Sequence, residues 1–216
     1  MKFLCLTDLH DNSAAMRRIL ADAGAVDSIL LGGDITNFGS PDDARRVVEQ
    51  LQADGTPLLA IGGNCDSAQI DQRLDELGVL LHGRGVIVEG IGIQGLSAIP
   101  PWRPKMYQFS EEQLAQALQS GYAQIAGADH HVILAHVPPH GCKVDRTYFL
   151  QHVGSRALRQ FIEQTQPALV ICGHVHEARG IDQLGRTRVV NCGAASSGYY
   201  AMAEVSDTVQ VEIRKA

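Results

Sequence analysis

Short apolar runs that stop at a polar side chain alternate with amphipathic stretches over the first half of the chain. Lys2 to Thr7, Ser28 to Leu31 and Pro57 to Ile61 read as buried strands. Between the first two, Met16, Ile19 and Leu20 share one helical face, with Asn12 or Ser13 as the N-cap. Ser40-Pro41-Asp42-Asp43 opens a second helix. Ser40 caps it, Pro41 suits the first turn, and the carboxylates favour the positive end of the helix dipole. Val47, Val48 and Leu51 are its apolar face, and a weaker helical pattern covers Ala68 to Glu76. Alternating strands and helices predict an α/β domain, a sheet covered by helices.

The middle of the chain breaks this rhythm. Val86 to Val88 and Ile91 to Leu96 predict a hairpin turning at Glu89-Gly90. Ser97 to Tyr107 holds three prolines and the only tryptophan, so it reads as a long loop. Ser110 with Glu111 and Glu112 starts a helix expected to run to about Gly127, and Val132 to Ala135 is a buried strand. A second proline-rich loop, Val137 to Asp145, precedes a helix around Ser155 to Gln164 and a strand from Ala168 to Cys172. After Gly173, short strands are expected at Ala178 to Asp182, Thr187 to Asn191, Tyr199 to Val205 and Val209 to Ile213. Two sheets packed face to face with helices outside accommodate both halves. No repeat, low-complexity tract or linker divides positions 1–216, so one domain is expected.

Composition narrows the function classes. Hydrophobic residues make up 45% of the chain, enough for a real core, which excludes global disorder. No apolar run nears the roughly 18 residues of a membrane span, and the N-terminus lacks the pattern of a signal peptide, so a cytoplasmic protein is expected. The formal charge of −6 and the absence of a basic stripe argue against extended nucleic-acid binding, while a small phosphorylated substrate remains compatible. Five cysteines with no CxxC give neither a disulfide framework nor a zinc knuckle.

The strands end on metal-competent side chains. They deliver Asp8 and His10, Asp34, Asn64, His136, and His174 with His176 to one sheet edge, the carboxyl edge where α/β sheets gather ligands. Imidazoles mixed with carboxylates suit Mn²⁺, Fe or Zn²⁺ better than Mg²⁺ or Ca²⁺. Seven ligands exceed what one tetrahedral ion takes. A pair of ions about 3.5–4 Å apart, bridged by one carboxylate, uses them and lowers the pKa of a shared water. Singly, Asp8-x-His10 and Gly33-Asp34 are ordinary turn chemistry; their order, always at strand ends, carries the signal.

Asp8-Leu9-His10, Gly33-Asp34, Gly63-Asn64-Cys65-Asp66, His136 and Gly173-His174-Val175-His176 together resemble the calcineurin-like metallophosphoesterase superfamily, over positions 8 to 176. The resemblance implies a four-layer α/β/β/α sandwich of two mixed sheets. It also implies a first metal at Asp8, His10 and His176, a second at Asn64, His136 and His174, with Asp34 bridging, and attack on phosphorus by a bridging hydroxide. Manganese is the metal expected first, with Fe, Zn²⁺ or Ni²⁺ also accommodated. Many relatives place histidine after the Asn; here Cys65 stands there, followed by Asp66. A thiol is a poorer proton donor than imidazolium near pH 7. The small-enzyme branch that shares GNCD includes phosphodiesterases, so diesters are expected over monoesters. The candidate catalytic residues are therefore Asn64, Cys65, Asp66 and His140, the last on the loop past His136. Trp102, Arg103 and Lys105 are candidate substrate contacts, able to stack a base and neutralise phosphate. His82, His130, His131 and His152 have no evident partner at ligand spacing. The Asn191-Cys192-Gly193-Ala194 turn is expected to be structural. A weakly catalytic interaction scaffold, and a phosphomonoesterase or protein phosphatase, are the alternative readings; a homo-oligomer is compatible with either.

Overall fold

The computed structural model describes residues 1–216. The chain runs β1 (Lys2–Leu6), α1 (Ser13–Ala23), β2 (Ser28–Gly32), α2 (Pro41–Leu51), β3 (Leu58–Ile61), α3 (Ala68–Glu76), β4 (Gly85–Val88) and β5 (Ile91–Leu96). It continues through α4 (Glu111–Ala123), β6 (His130–Ala135), α5 (Arg156–Thr165), β7 (Leu169–Cys172), β8 (Gly180–Leu184), β9 (Thr187–Asn191), β10 (Tyr199–Val205) and β11 (Val209–Lys215). One sheet has the order β11-β10-β1-β2-β3, the other β4-β5-β6-β7-β9-β8. Both are mixed: β1, β2 and β3 are parallel, as are β5, β6, β7 and β9, while β4, β8, β10 and β11 add antiparallel.

The period-2 alternation of side chains makes three apolar layers out of two sheets. In β1, Leu4 and Leu6 pack with Met16, Ile19, Val47 and Val48 of the first two helices, whereas Phe3 and Cys5 face the second sheet with Val132, Leu134 and Ile171. In β6, Ile133 and Ala135 turn outward to Leu114, Leu118, Leu158 and Phe161. Helix, sheet, sheet, helix is the four-layer sandwich expected. No helix is long and apolar enough to cross a membrane.

Local signals hold at most boundaries. Asn12 caps α1, its side chain accepting from Ala15 N, and Ser40 forms a capping box with Asp43. The exceptions have physical causes. Helix α4 stops at Ala123 rather than near Gly127, because Gln124 and Ile125 turn back through three-residue hydrogen bonds to Gly121 and Tyr122. Ile125 is then buried against Gly85 and Gly92. The strand expected from Ala178 begins at Gly180, since His176–Ala178 is a single 3₁₀ turn closed by Ala178 N on Val175 O. His130 and His131 open β6 rather than preceding it.

His82 is stacked on Phe109, with centroids 4.7 Å apart, and its Nδ1 accepts the Ser97 N–H at 3.0 Å. Burial holds its pKa down at about 4, and protonation at Nδ1 would break that bond. Unfolded, the ring takes a proton near 6.5; folded, it refuses one until about 4. Its contribution to stability is therefore lost as pH falls through that window. We expect the unfolding free energy of wild type relative to His82→Gln to drop by about 2 kcal/mol between pH 7 and 4.5. Urea titrations at both pH values read this directly, and parallel loss in the two proteins contradicts it.

Candidate metal centre

Five strands of both sheets release the chain at the same edge. Asp8 follows β1, Asp34 follows β2, Asn64 follows β3, His136 follows β6 and His174 follows β7, each within three residues of the strand end. The exits are abrupt. Asp8, His10, Asp34 and His174 all have positive φ, at 56°, 47°, 47° and 65°. Non-glycine residues avoid this region, and strain of this kind concentrates at sites the surroundings over-determine.

The exit loops are tied to one another rather than to solvent. Asp8 N donates to Gly33 O at 3.0 Å and His10 N to Asp34 O at 2.9 Å. Within the second sheet, Gly173 N donates to His136 O at 3.1 Å. Two glycines make the approach possible: a Cβ on Gly63 would lie 2.1 Å from Asp34 N, and one on Gly173 would lie 2.2 Å from Asp8 Oδ2.

Asp34 is buried at the centre. Its Oδ2 lies 3.7 Å from His10 Nε2 and its Oδ1 lies 3.5 Å from His136 Nε2, so the carboxylate stands between two imidazoles of different clusters. On one side, Asp8, His10 and His176 bring one ligand atom each within 4.8 Å of one another. His176 Nε2 is 3.1 Å from Asp8 Oδ1. Burial works against ionisation of Asp8, but the His176 hydrogen bond and the His136 and His176 charges hold its carboxyl at about 2. That same bond raises the pKa of His176. His10 Nδ1 is buried with no hydrogen-bond partner.

On the other side, His136 is fully buried and its Nδ1 sits 3.0 Å from Gly32 O. A carbonyl only accepts, so Nδ1 carries the proton and Nε2 is the free nitrogen. That Nε2 meets Asn64 Oδ1 at 3.0 Å and Asp34 Oδ1 at 3.5 Å. Three acceptors facing one another need a positive charge among them. Burial disfavours a proton there, yet Asp34, Asp8 and the Gly32 carbonyl outweigh it and raise the pKa of His136. A divalent cation meets the same need without a proton. His174 is driven down to about 3 by burial and by the charge of His136, so it is a neutral donor. Its ring centroid lies 5.3 Å from that of His136. The ligand types, the convergent lone pairs and the partnerless His10 nitrogen all fit a centre for divalent metal.

The remaining candidates separate clearly. Cys65 is largely buried and its thiol joins His10 and Asp34 in a third cluster, with Asn64 Nδ2 3.3 Å from Sγ. Burial, then the Asp34 charge, pushes that thiol well above its ordinary pKa, so it is neutral. Asp66 accepts from Ile35 N, Thr36 N, Thr36 Oγ1 and Gly63 N at 2.8–3.0 Å. It clamps the Asp34 loop to the Asn64 loop and is a positioning residue. Burial and Asp34 raise its carboxyl to about 6 despite those donors. Trp102 stands edge-on to His174 at 5.9 Å and carries Arg103 over its face at 4.5 Å, which puts both at the rim. Lys105 is exposed in the same loop. His140 binds Ser155 and Arg159 through its backbone, and its ring lies 5.7 Å from that of His152. Trp102, Arg103, Lys105 and His140 belong to none of the metal clusters. His152, expected to lack a partner, is paired with Asp145 at 2.6 Å, because the Arg146–His152 bridge folds the loop back. Asn191 is buried and structural, its side chain donating to Val144 O and Val175 O.

Sequence reasoning missed the exposed aromatics around the centre. Phe38 is tied to the Cys65 carbonyl through its backbone N–H, and Tyr148 is tied to the Glu177 carboxylate, next to His176. Neither carries a local signal beyond being an aromatic in a loop. A surface cavity of about 670 Å³ lies elsewhere, by His131, Gln166 and Arg188 near the amino ends of β6, β7 and β9.

Comparison with known proteins agrees with this arrangement. The family model for the calcineurin-like phosphoesterase superfamily domain matches residues 1–208. An uncharacterised protein of Methanocaldococcus jannaschii is 29% identical, covering 88% of this chain and 87% of its own. A Synechococcus sp. protein described as a probable cyclic nucleotide phosphodiesterase is 28% identical over 88% of this chain and 79% of its own. A crystal structure from Thermus thermophilus superposes with a TM-score of 0.78 at 17% identity, covering 99% of this chain and 98% of that one. A dimetal phosphatase from Danio rerio gives 0.65 at 13% identity, with 100% and 96% covered. These structures share the fold.

Asp34→Asn and His136→Gln are each expected to weaken Mn²⁺ binding at least ten-fold in isothermal titration, with an unchanged circular dichroism spectrum. Thr36→Val, which removes one of the bonds to Asp66, is expected to weaken it by a smaller factor. Wild-type affinity in both ligand variants contradicts the assignment.

Proposed function

The chain belongs to the calcineurin-like phosphoesterase superfamily, whose chemistry is metal-dependent phosphoester hydrolysis, and on that premise we propose that it is a dinuclear-metal phosphodiesterase acting on small organic diesters. The supporting observation is Asp34, a buried carboxylate whose two oxygens point at imidazoles of two different clusters. Two divalent cations, Mn²⁺ first and Fe, Zn²⁺ or Ni²⁺ also suited, supply Lewis-acid charge for a phosphoryl oxygen and lower the pKa of water they bind.

The chain's own residues do the rest. Asp8, His10 and His176 hold one side and Asn64, His136 and His174 the other. Gly32 O fixes the tautomer of His136, and Asp8 orients His176. Trp102, beside His174 and half exposed, presents an apolar face to an organic ester arm. Cys65 decides the substrate class. It occupies the position where many relatives have histidine, and its neutral, largely buried thiol does not deliver a proton to a leaving oxygen at neutral pH. No hydrogen bond joins His140 to the cluster, so on this reading the departing alcohol leaves largely unassisted by these side chains. That favours diesters with good leaving groups. The description of the Synechococcus sp. relative points the same way.

The test is an assay of metal-stripped protein with Mn²⁺ restored. Bis(p-nitrophenyl) phosphate should be hydrolysed with a kcat/KM at least ten-fold above p-nitrophenyl phosphate. Cys65→His should narrow that ratio by raising the monoester rate. Absence of metal-dependent hydrolysis, or a monoester preference in the wild type, overturns the reading.

A further inference from the structure

Beside the exposed ligand His176 lies a groove of about 470 Å³, lined by Tyr148, Glu177, Arg179, Ala194 and Tyr199 among others. Arg179 follows the 3₁₀ turn that begins with His176. Its guanidinium lies 3.7 Å from the centroid of the Tyr199 ring, and the Lys215 ammonium lies 4.8 Å from the same centroid. Neither cation is paired with a carboxylate; the one acid of the groove, Glu177, accepts from Tyr148 N at 3.1 Å. Two like charges gathered about one aromatic ring repel each other, and a net charge of −6 for the whole chain makes the local excess more conspicuous. The same two cations, Lys215 first, hold the Tyr199 phenol below its ordinary pKa.

The groove is also fastened to the metal centre. The Arg179 stem crosses Gly193, where a Cβ would lie 2.6 Å from Cδ, so only glycine admits it. Gly193 O accepts from Thr7 Oγ1 at 3.0 Å, and Ser196 N donates to Asp8 O at 3.1 Å. The loop that seats Arg179 is thereby held against the strand exit that carries Asp8. Arginine is suited to bidentate capture of a phosphate, and its stacked plane is already oriented.

We propose that this groove is a second anion subsite, built around Arg179 with Lys215 behind it, that takes a phosphate group carried on one alcohol arm of the diester substrate. The substrate class is then a phosphodiester bearing a further phosphate, held with the scissile phosphorus at the metal centre and the second phosphate past His176. This rests on the phosphodiesterase reading above and extends it.

The test compares two substrates on the Mn²⁺-loaded protein: thymidine 5′-(p-nitrophenyl phosphate) and the same compound phosphorylated at the 3′ oxygen. Wild type should prefer the phosphorylated substrate at least ten-fold in kcat/KM. Arg179→Gln should bring that ratio to about one, and Lys215→Gln should lower it by less. A ratio near one in wild type, or one unchanged by Arg179→Gln, overturns the subsite while leaving the phosphodiesterase reading intact. If neither diester is cleaved, the phosphodiesterase reading fails instead. Equilibrium binding of thymidine 3′,5′-bisphosphate to the same protein then decides the subsite. A ten-fold loss of affinity in Arg179→Gln supports it, and equal affinity overturns it.

Discussion

Lone pairs converge at the edge of this molecule, and the fold exists to hold them together against their own repulsion. Asp8, Asp34 and His136 are buried with their acceptor atoms within 4.8 Å of one another. Buried charges and acceptors are costly unless something positive lies among them. The acids raise the pKa of His136 against its burial, a sign of how strongly the cluster calls for positive charge, while His174 is held neutral. The cluster makes chemical sense as a seat for divalent cations, and the surrounding structure is arranged to keep the seat from collapsing or opening.

Two sheets share the task. The first sheet contributes Asp8, Asp34 and Asn64 at the ends of three parallel strands; the second contributes His136 and His174 in the same way. Face-to-face packing through Phe3, Leu30, Leu134 and Ile171 sets the distance between the two groups. Backbone bonds between the exits then fix each loop, and Asp66 locks the Asn64 loop onto the residues after Asp34. The left-handed conformations at Asp8, His10, Asp34 and His174 are the cost of turning the chain so sharply that these side chains face one another. A loose loop would not sustain them.

Much of this was legible in the residues. The apolar runs located the strands, the Ser40 and Ser110 caps located helix starts, and the chemistry at strand ends located the ligands, because each depends on short-range spacing. Boundaries failed where tertiary packing decided them: Ile125 turning onto β4 and β5, or the His176 turn delaying β8. The roles of Asp66, His152 and Arg179 were not legible either. Asp66 follows Asn64 and Cys65 in the motif, but only the folded loop shows that four donors engage its carboxylate. His152 finds Asp145 through a loop bridge, Arg179 meets Tyr199 across Gly193, and Lys215 reaches the same ring through strand pairing. Exposed aromatics such as Phe38 and Tyr148 gather around the centre from separate loops, and no periodicity announces a rim of that kind.

Diffraction from crystals grown with Mn²⁺, recorded on both sides of the manganese absorption edge, tests the central claim most directly. Two anomalous peaks are predicted, both in contact with Asp34, one also touching Asp8, His10 and His176 and the other Asn64, His136 and His174. A map with no peak at Asp34, and with His136 Nε2 facing only Asn64 and Asp34, would contradict it.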